Sequence, residues 1–87
     1  MIRLGYKPSF IKQLNHLEHD LQEEALEKIE LFKDPANHKM LNVHKLKGSL
    51  ADCYSFYVNY KIRIVFQYLS SKSEAVLLGV GDHDAYK

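Results

Sequence analysis

The chain of 87 residues is one domain, residues 1–87, whose core can bury at most about two-thirds of the unfolded surface. Its apolar content of 46% excludes a disordered chain, and no apolar run approaches the roughly 20 residues that span a bilayer. The formal net charge is only +1, and the single cysteine, Cys53, excludes an internal disulfide and any multi-cysteine zinc motif. No basic, apolar leader opens the sequence, so the expected setting is the cytoplasm, with no membrane contact.

Charge is unevenly spread. Residues 1–34 carry 5 Lys/Arg against 7 Asp/Glu, whereas residues 35–87 carry 7 against 4. Lys39, Lys45, Lys47, Lys61 and Arg63 fall between Pro35 and Val65 against Asp52 alone. Such a stretch is either a solvated surface or a local patch that attracts phosphate.

In chain order, "IRLGYK" alternates apolar and polar residues and predicts a strand. Pro8 and Ser9 are first-turn and cap residues of a helix whose stripe is Phe10, Leu14, Leu17 and Leu21. Asp20 followed by Glu23 resembles a capping box, so a second helix starts there, with Ala25, Ile29 and Phe32 as its stripe. Asp34-Pro35 ends it. The two helices form a hairpin joined at His19-Asp20. Leu31 lies off the main stripe and marks either hairpin packing or a partner contact.

"ANHKMLNVHKLKG" reads as a loop entering a strand. Three strands follow. In "ADCYSFYVN", Tyr54, Phe56 and Val58 share one face and Cys53, Ser55 and Tyr57 the other. In "YKIRIVFQYL", Ile62, Ile64, Phe66 and Tyr68 oppose Lys61, Arg63, Val65 and Gln67. Asn59-Tyr60 is the tight turn between them. After "SSKSE" comes "AVLLGVG", a strand expected to end at Gly79 and Gly81, where the backbone turns over the sheet edge. Short connections make the three strands an antiparallel meander, and the helix hairpin is the available cover for its apolar face. The expected architecture is α+β: an N-terminal strand, a two-helix hairpin, then the meander, with both helices on one face of a four-stranded sheet. Ser55, Tyr57, Lys61, Arg63 and Gln67 then face solvent or a ligand.

Arg63 stands between Ile62 and Ile64 and points away from the helices in this register. It is either a cation packed over Tyr57 or paired with Asp52, or a phosphate anchor with a planar fork of donors.

The segment "HKLKGSLADCYSFYVNYKIRIVFQY", followed by an apolar strand and a terminal "VGDHDAYK", resembles the RelE/ParE superfamily of bacterial toxins from type II toxin–antitoxin modules. The order of elements is similar over the whole chain. The resemblance implies an antitoxin protein as partner and, for RelE-like members, cleavage of mRNA in the ribosomal A site. By position Arg63 matches the strand arginine near the scissile phosphate. Tyr86 matches a terminal aromatic that stacks on a base or positions the 2′-hydroxyl, and His83 falls where members place an arginine or a histidine. Ser55 and Tyr57 stand where the best-known members carry lysines. The ParE branch shares the fold and inhibits DNA gyrase without cutting RNA, and that alternative stays open, as does a non-catalytic homologue.

Cleavage of RNA through its own 2′-hydroxyl needs a base for that proton, positive charge on the transition state and an acid for the departing 5′-oxygen. His83 supplies acid–base chemistry, with Asp82 or Asp84 orienting its ring. Arg63 holds the phosphate, with Lys45, Lys47 and Lys61 adding charge and Tyr57 on the RNA-binding face. Tyr86 stacks on a base. His44 is either a second acid–base group or a loop histidine bonded to a carbonyl. No cofactor is expected. Asp82, His83 and Asp84 are adjacent and converge poorly on one ion, so no metal site is expected.

Overall fold

The computed structural model describes residues 1–82. Its elements are β1 (Arg3–Tyr6), α1 (Pro8–Asn15), α2 (His19–Phe32), β2 (His44–Lys45), β3 (Tyr54–Tyr57), β4 (Ile62–Tyr68) and β5 (Glu74–Asp82). Short 3₁₀ turns at Pro35–Asn37 and Gly48–Leu50 punctuate the connections. The sheet has five strands in the order β1-β5-β4-β3-β2. The expected meander of β3, β4 and β5 is antiparallel, and β1 joins its far edge parallel to β5.

The expected four strands become five because the loop before β3 folds back. His44 pairs with Ser55 and Lys45 with Tyr54, and the Leu46 N–H donates to the Cys53 carbonyl at 2.9 Å. Two residues are too short a strand to announce themselves by alternation. The approach depends on Asn42, whose φ of 56° is in the left-handed region that asparagine tolerates better than most residues.

The helix joint also differs from the expected one. α1 stops at Asn15 and α2 begins at His19, so the turn lies at His16–Glu18. No capping box forms at Asp20. Glu18 is the N-cap residue and makes no side-chain cap bond, while Asp20 sits in the first turn, where a carboxylate suits the helix dipole. Carbonyls at the end of α1 and in the turn after it are satisfied by side chains. The Gln22 amide donates to Leu17 O at 2.9 Å and Asn15 O at 3.2 Å, and the His16 ring reaches Lys12 O at 2.7 Å.

Both helices cover one face of the sheet. Phe10, Ala25, Ile29 and Phe32 pack on Phe56, Ile64, Phe66, Leu77 and Val80, with Leu14, Leu17 and Leu21 partly buried beside them. Phe32, at the last turn of α2, is the hub. Its ring stacks on Phe56 at 4.5 Å and on His38 at 4.7 Å, and meets the edge of Phe66 at 4.7 Å. Such ring pairs contribute about 0.5–1.5 kcal/mol each beyond the area they bury.

β5 does not stop at its glycines, as the sequence led one to expect. It runs through both to Asp82, with Gly79 opposite Val65 and Gly81 opposite Arg63. The irregularity lies one residue earlier. Phe66 pairs with Leu77 and Val65 with Gly79, leaving Leu78 as the extra residue of a β-bulge. The bulge shifts the inward positions of β5 from Ala75 and Leu77 to Val80 and turns the two glycines to the far face. Beyond the end of β1, α1 takes over the β5 edge. Ser9 Oγ donates to Leu78 O at 2.8 Å, and the Val80 N–H donates to Gln13 Oε1 at 2.9 Å. No helix among the described residues is long and apolar enough to cross a membrane.

Candidate functional site

On antiparallel strands, residues directly opposite one another project to the same face. The register therefore aligns Tyr57, Arg63 and Gly81 in one row, and His44, Ser55, Val65 and Gly79 in the next. Both rows lie on the face away from Phe56, Ile64 and Val80, hence away from the helices.

Arg63 and Tyr57 are in contact. The guanidinium Nη2 donates to Tyr57 Oη at 3.4 Å, and Cζ lies 5.1 Å from the Tyr57 ring centroid. The His44 ring meets the same tyrosine edge-on, with centroids 6.2 Å apart at 88°. Tyr57 thus sits between an imidazole and a guanidinium.

His44 is held by a bond that decides its chemistry. Its Nδ1 lies 2.7 Å from the Asn42 carbonyl oxygen, which can only accept, so the Nδ1 proton is the donor. In the neutral ring Nε2 is then the acceptor, and it faces Ser55 Oγ at 3.4 Å. Of the two readings of His44 left open by the sequence, the structure shows the bond to a carbonyl; its other nitrogen faces Ser55 on the sheet face that carries Arg63.

The centre of this face is not open to solvent, contrary to expectation. Ser55 is 0% exposed and Arg63 only 5%. β4 is the middle strand of five, and the Tyr57 and His44 rings lie across the rows beside it. Burying a cation is costly unless it is hydrogen-bonded, which the contact with Tyr57 helps to supply.

The remaining positions scatter more widely. Lys45 is exposed but pairs with Tyr54, in the row of the helix-covered face. Lys47 is exposed just before the second 3₁₀ turn. Lys61 is exposed in the β3–β4 loop, its N–H donating to Asn59 Oδ1 at 2.8 Å. Asp82 pairs with Ile62, again a helix-side row. His83, Asp84 and Tyr86 lie outside the described residues. Among the described residues no three His, Cys, Asp or Glu side chains gather as a metal site.

Sequence reasoning did not find Ser55 as the partner of His44, nor Gly81 as the position across from Arg63. The first depends on β2, the second on the bulge at Leu78, and neither leaves a local signal. Cys53 is buried just before β3, and burial, with a smaller push from Asp52, raises its thiol above the ordinary range. It is a poor thiolate in this setting.

No protein-family model matches this sequence, and no curated protein matches it significantly. Solved structures do resemble it. A conserved hypothetical protein from Helicobacter pylori superposes with a TM-score of 0.72 at 24% identity, covering 97% of each chain. The toxin–antitoxin complex RelBE2 from Mycobacterium tuberculosis gives 0.74 at 16% identity over 94% of this chain and 98% of the other. The intact RelBE toxin–antitoxin complex of E. coli gives 0.70 at 20% identity over 94% and 96%. With TM-scores of 0.70–0.74 over more than nine-tenths of each chain, this protein has the RelE-like fold.

Proposed function

We propose that the chain is the toxin of a type II toxin–antitoxin pair and acts in the cytoplasm as a ribosome-dependent mRNA endonuclease, restrained by an antitoxin protein. The observation that carries this reading is the cluster of Arg63, Tyr57 and His44 on one sheet face of a RelE-like fold. The chemistry uses the RNA as its own nucleophile. Nε2 of neutral His44 takes the 2′-hydroxyl proton, the 2′-oxygen forms a bond to phosphorus, and the phosphorus–5′-oxygen bond breaks. The departing 5′-oxygen takes a proton from a general acid, a role that the chemistry of histidine allows for His83. Arg63 stabilises the charge that develops on the phosphoryl oxygens, and Tyr57 orients its fork. Exposed Lys45, Lys47 and Lys61 add sequence-independent attraction for phosphate. Tyr86 stacks on a base and Asp82 or Asp84 supports His83 in the same reading. No step requires a metal or cofactor.

The test is purified chain added to ribosomes programmed with a defined mRNA. The expected product is a cut within the A-site codon that leaves a 2′,3′-cyclic phosphate or its hydrolysis product. Intact mRNA, with growth still arrested on expression, would overturn the nuclease reading.

One observation favours a second reading. With Arg63 5% exposed and Ser55 fully buried, the face as it stands has little room for a scissile phosphate. A non-catalytic toxin, such as a DNA gyrase inhibitor of the ParE type, needs no such access. DNA-damage signalling on expression, without mRNA cuts, is its signature.

A further inference from the structure

Asp20, Glu24, Glu27 and Leu31 fall at i, i+4, i+7 and i+11 along α2 and so share one stripe. Glu23 adjoins them, and the four carboxylates line a shallow acidic depression. At Glu27 this depression meets a groove of about 560 Å³ between α2 and the loops at either end of the β2–β3 segment. Leu31, Met40, Leu41, Tyr57, Val58 and Tyr60 supply its apolar lining. Met40 is 65% exposed and Tyr60 93%, large apolar groups left in water around one concavity.

The charges beside the groove are under-compensated. Acidic residues at i,i+3 and i,i+4 destabilise a helix, and four such pairs occur among Asp20, Glu23, Glu24 and Glu27. His19 reaches Glu23 at 2.6 Å, Lys28 reaches Glu27 at 3.6 Å, and the Asn59 amide donates to Glu24 at 2.8 Å. Among the described residues, one lysine and one histidine pair with these four carboxylates, both at the margin. A surface that combines unpaired apolar side chains with a stripe of repelling anions is complementary to the opposite pattern.

We infer that this groove and the acidic stripe together bind a cationic amphipathic segment of a partner protein. Its leucine- or methionine-sized side chains enter the groove beside Leu31 and Tyr60, and its Lys or Arg side chains meet Asp20, Glu23, Glu24 and Glu27. The occupant is fixed by charge complementarity: an acidic or purely apolar segment would leave the repulsion along α2 unrelieved. The inference does not rest on the nuclease reading: the groove shares Tyr57 with that site, but the test involves no RNA.

The experiment titrates the ¹⁵N-labelled full chain with a synthetic helix-forming peptide carrying leucines on one stripe and lysines beside it. The controls are the same peptide with Glu in place of Lys, and a scrambled peptide of the same composition. Saturable amide shifts confined to residues 20–31, 40–41 and 57–60 are expected, with the Lys peptide at least about tenfold tighter than the Glu peptide. Tyr60→Ala, at an exposed site, should weaken binding about tenfold, as loss of an aromatic anchor does. Glu27→Gln should reduce the dependence of affinity on salt. Each of the following outcomes overturns the proposal: no saturable shifts, equal binding of the Lys and Glu peptides, equal binding of the scrambled peptide, or concentration-dependent shifts at the same residues without peptide. The last would mean that a second copy of this chain fills the groove.

Discussion

Arg63 and Gly81 stand directly opposite each other across β4 and β5, on the sheet face away from the helices. On its other side Arg63 has Tyr57, so the guanidinium has an aromatic ring at one flank and a residue with no side chain at the other. A planar fork in that slot can present two N–H donors to a phosphate, which an ammonium cannot do. Arg63→Ala should lower single-turnover mRNA cleavage about 10²–10³-fold, the range for removing one donor from a preorganised site. Arg63→Lys should recover only a minor part. Wild-type rates in Arg63→Lys would show that charge alone suffices, and circular dichroism of both variants controls for folding.

His44→Gln retains a side chain that can bond Asn42 O but supplies no proton acceptor of imidazole basicity. Cleavage should fall about 10²–10⁴-fold, as for loss of a general acid–base group. Ser55→Ala removes only a long contact at 3.4 Å and should change the rate far less. Equal losses in the two variants would make the site a packing unit and not an acid–base centre. Full activity in His44→Gln would leave the chemistry to residues beyond Asp82.

Most of the fold was legible because its signals are local. The Phe10/Leu14 and Ala25/Ile29/Phe32 stripes and the alternation of β3 and β4 each follow from one element's period. What escaped notice depends on pairing. β2 exists only because His44 and Lys45 find Ser55 and Tyr54, and a two-residue strand has no period to read. The role of the glycines was misjudged for a related reason. Plain alternation from Leu77 would send Gly79 and Gly81 inward and Val80 outward, and the bulge at Leu78 reverses this. The direction of Arg63 was legible, its burial was not: burial depends on neighbouring strands and on the Tyr57 ring, not on the arginine's own position in β4.

Deleting Leu78 should test the bulge. With the extra residue gone, Leu77, Gly79, Val80 and Gly81 alternate regularly against Phe66, Val65, Ile64 and Arg63, so Val80 stays in the core and both glycines stay on the far face. What the deletion removes is the Ser9 Oγ bond to Leu78 O, a net contribution of about 0.5–1.5 kcal/mol. Urea denaturation should report a destabilisation of about that size. A loss several times larger would show that the bulge itself, and not the pairing of Leu77 and Val80, holds the register.

Gly48 opens the loop between β2 and β3 with a φ of 72°, and a Cβ there would meet no atom within 4 Å. The cost of a side chain is therefore backbone strain without a clash. Gly48→Ala should destabilise by about 1–2 kcal/mol, and Gly48→Asn by less, since asparagine tolerates this region. A larger loss in Gly48→Asn than in Gly48→Ala would point to a steric cause instead.

Stability should decline on the alkaline side. Burial raises the Cys53 thiol above its ordinary 9.0, with Asp52 adding to the shift, and burial raises the Tyr68 phenol above 10.0, with Tyr54 adding to it. The Lys33 ammonium is raised as well, mainly by its hydrogen bond to Glu30, but at an exposed site where such a pair contributes little. For the thiol and the phenol the sign is the same. Above the ordinary value the unfolded chain releases a proton that the folded chain keeps, so the folded state binds more protons and loses stability as pH rises. The contribution is fully present below about pH 9 and is lost progressively from 9.0 for Cys53 and from 10.0 for Tyr68. Urea denaturation from pH 7 upward should show a plateau followed by a fall. Cys53→Ala should remove the part that begins near 9.0, and Tyr68→Phe, which keeps the ring packed against Tyr54 and Phe66, the part that begins near 10.0. If the double variant falls as steeply as the parent, the alkaline loss comes from other groups and these two are not the ones that burial holds protonated.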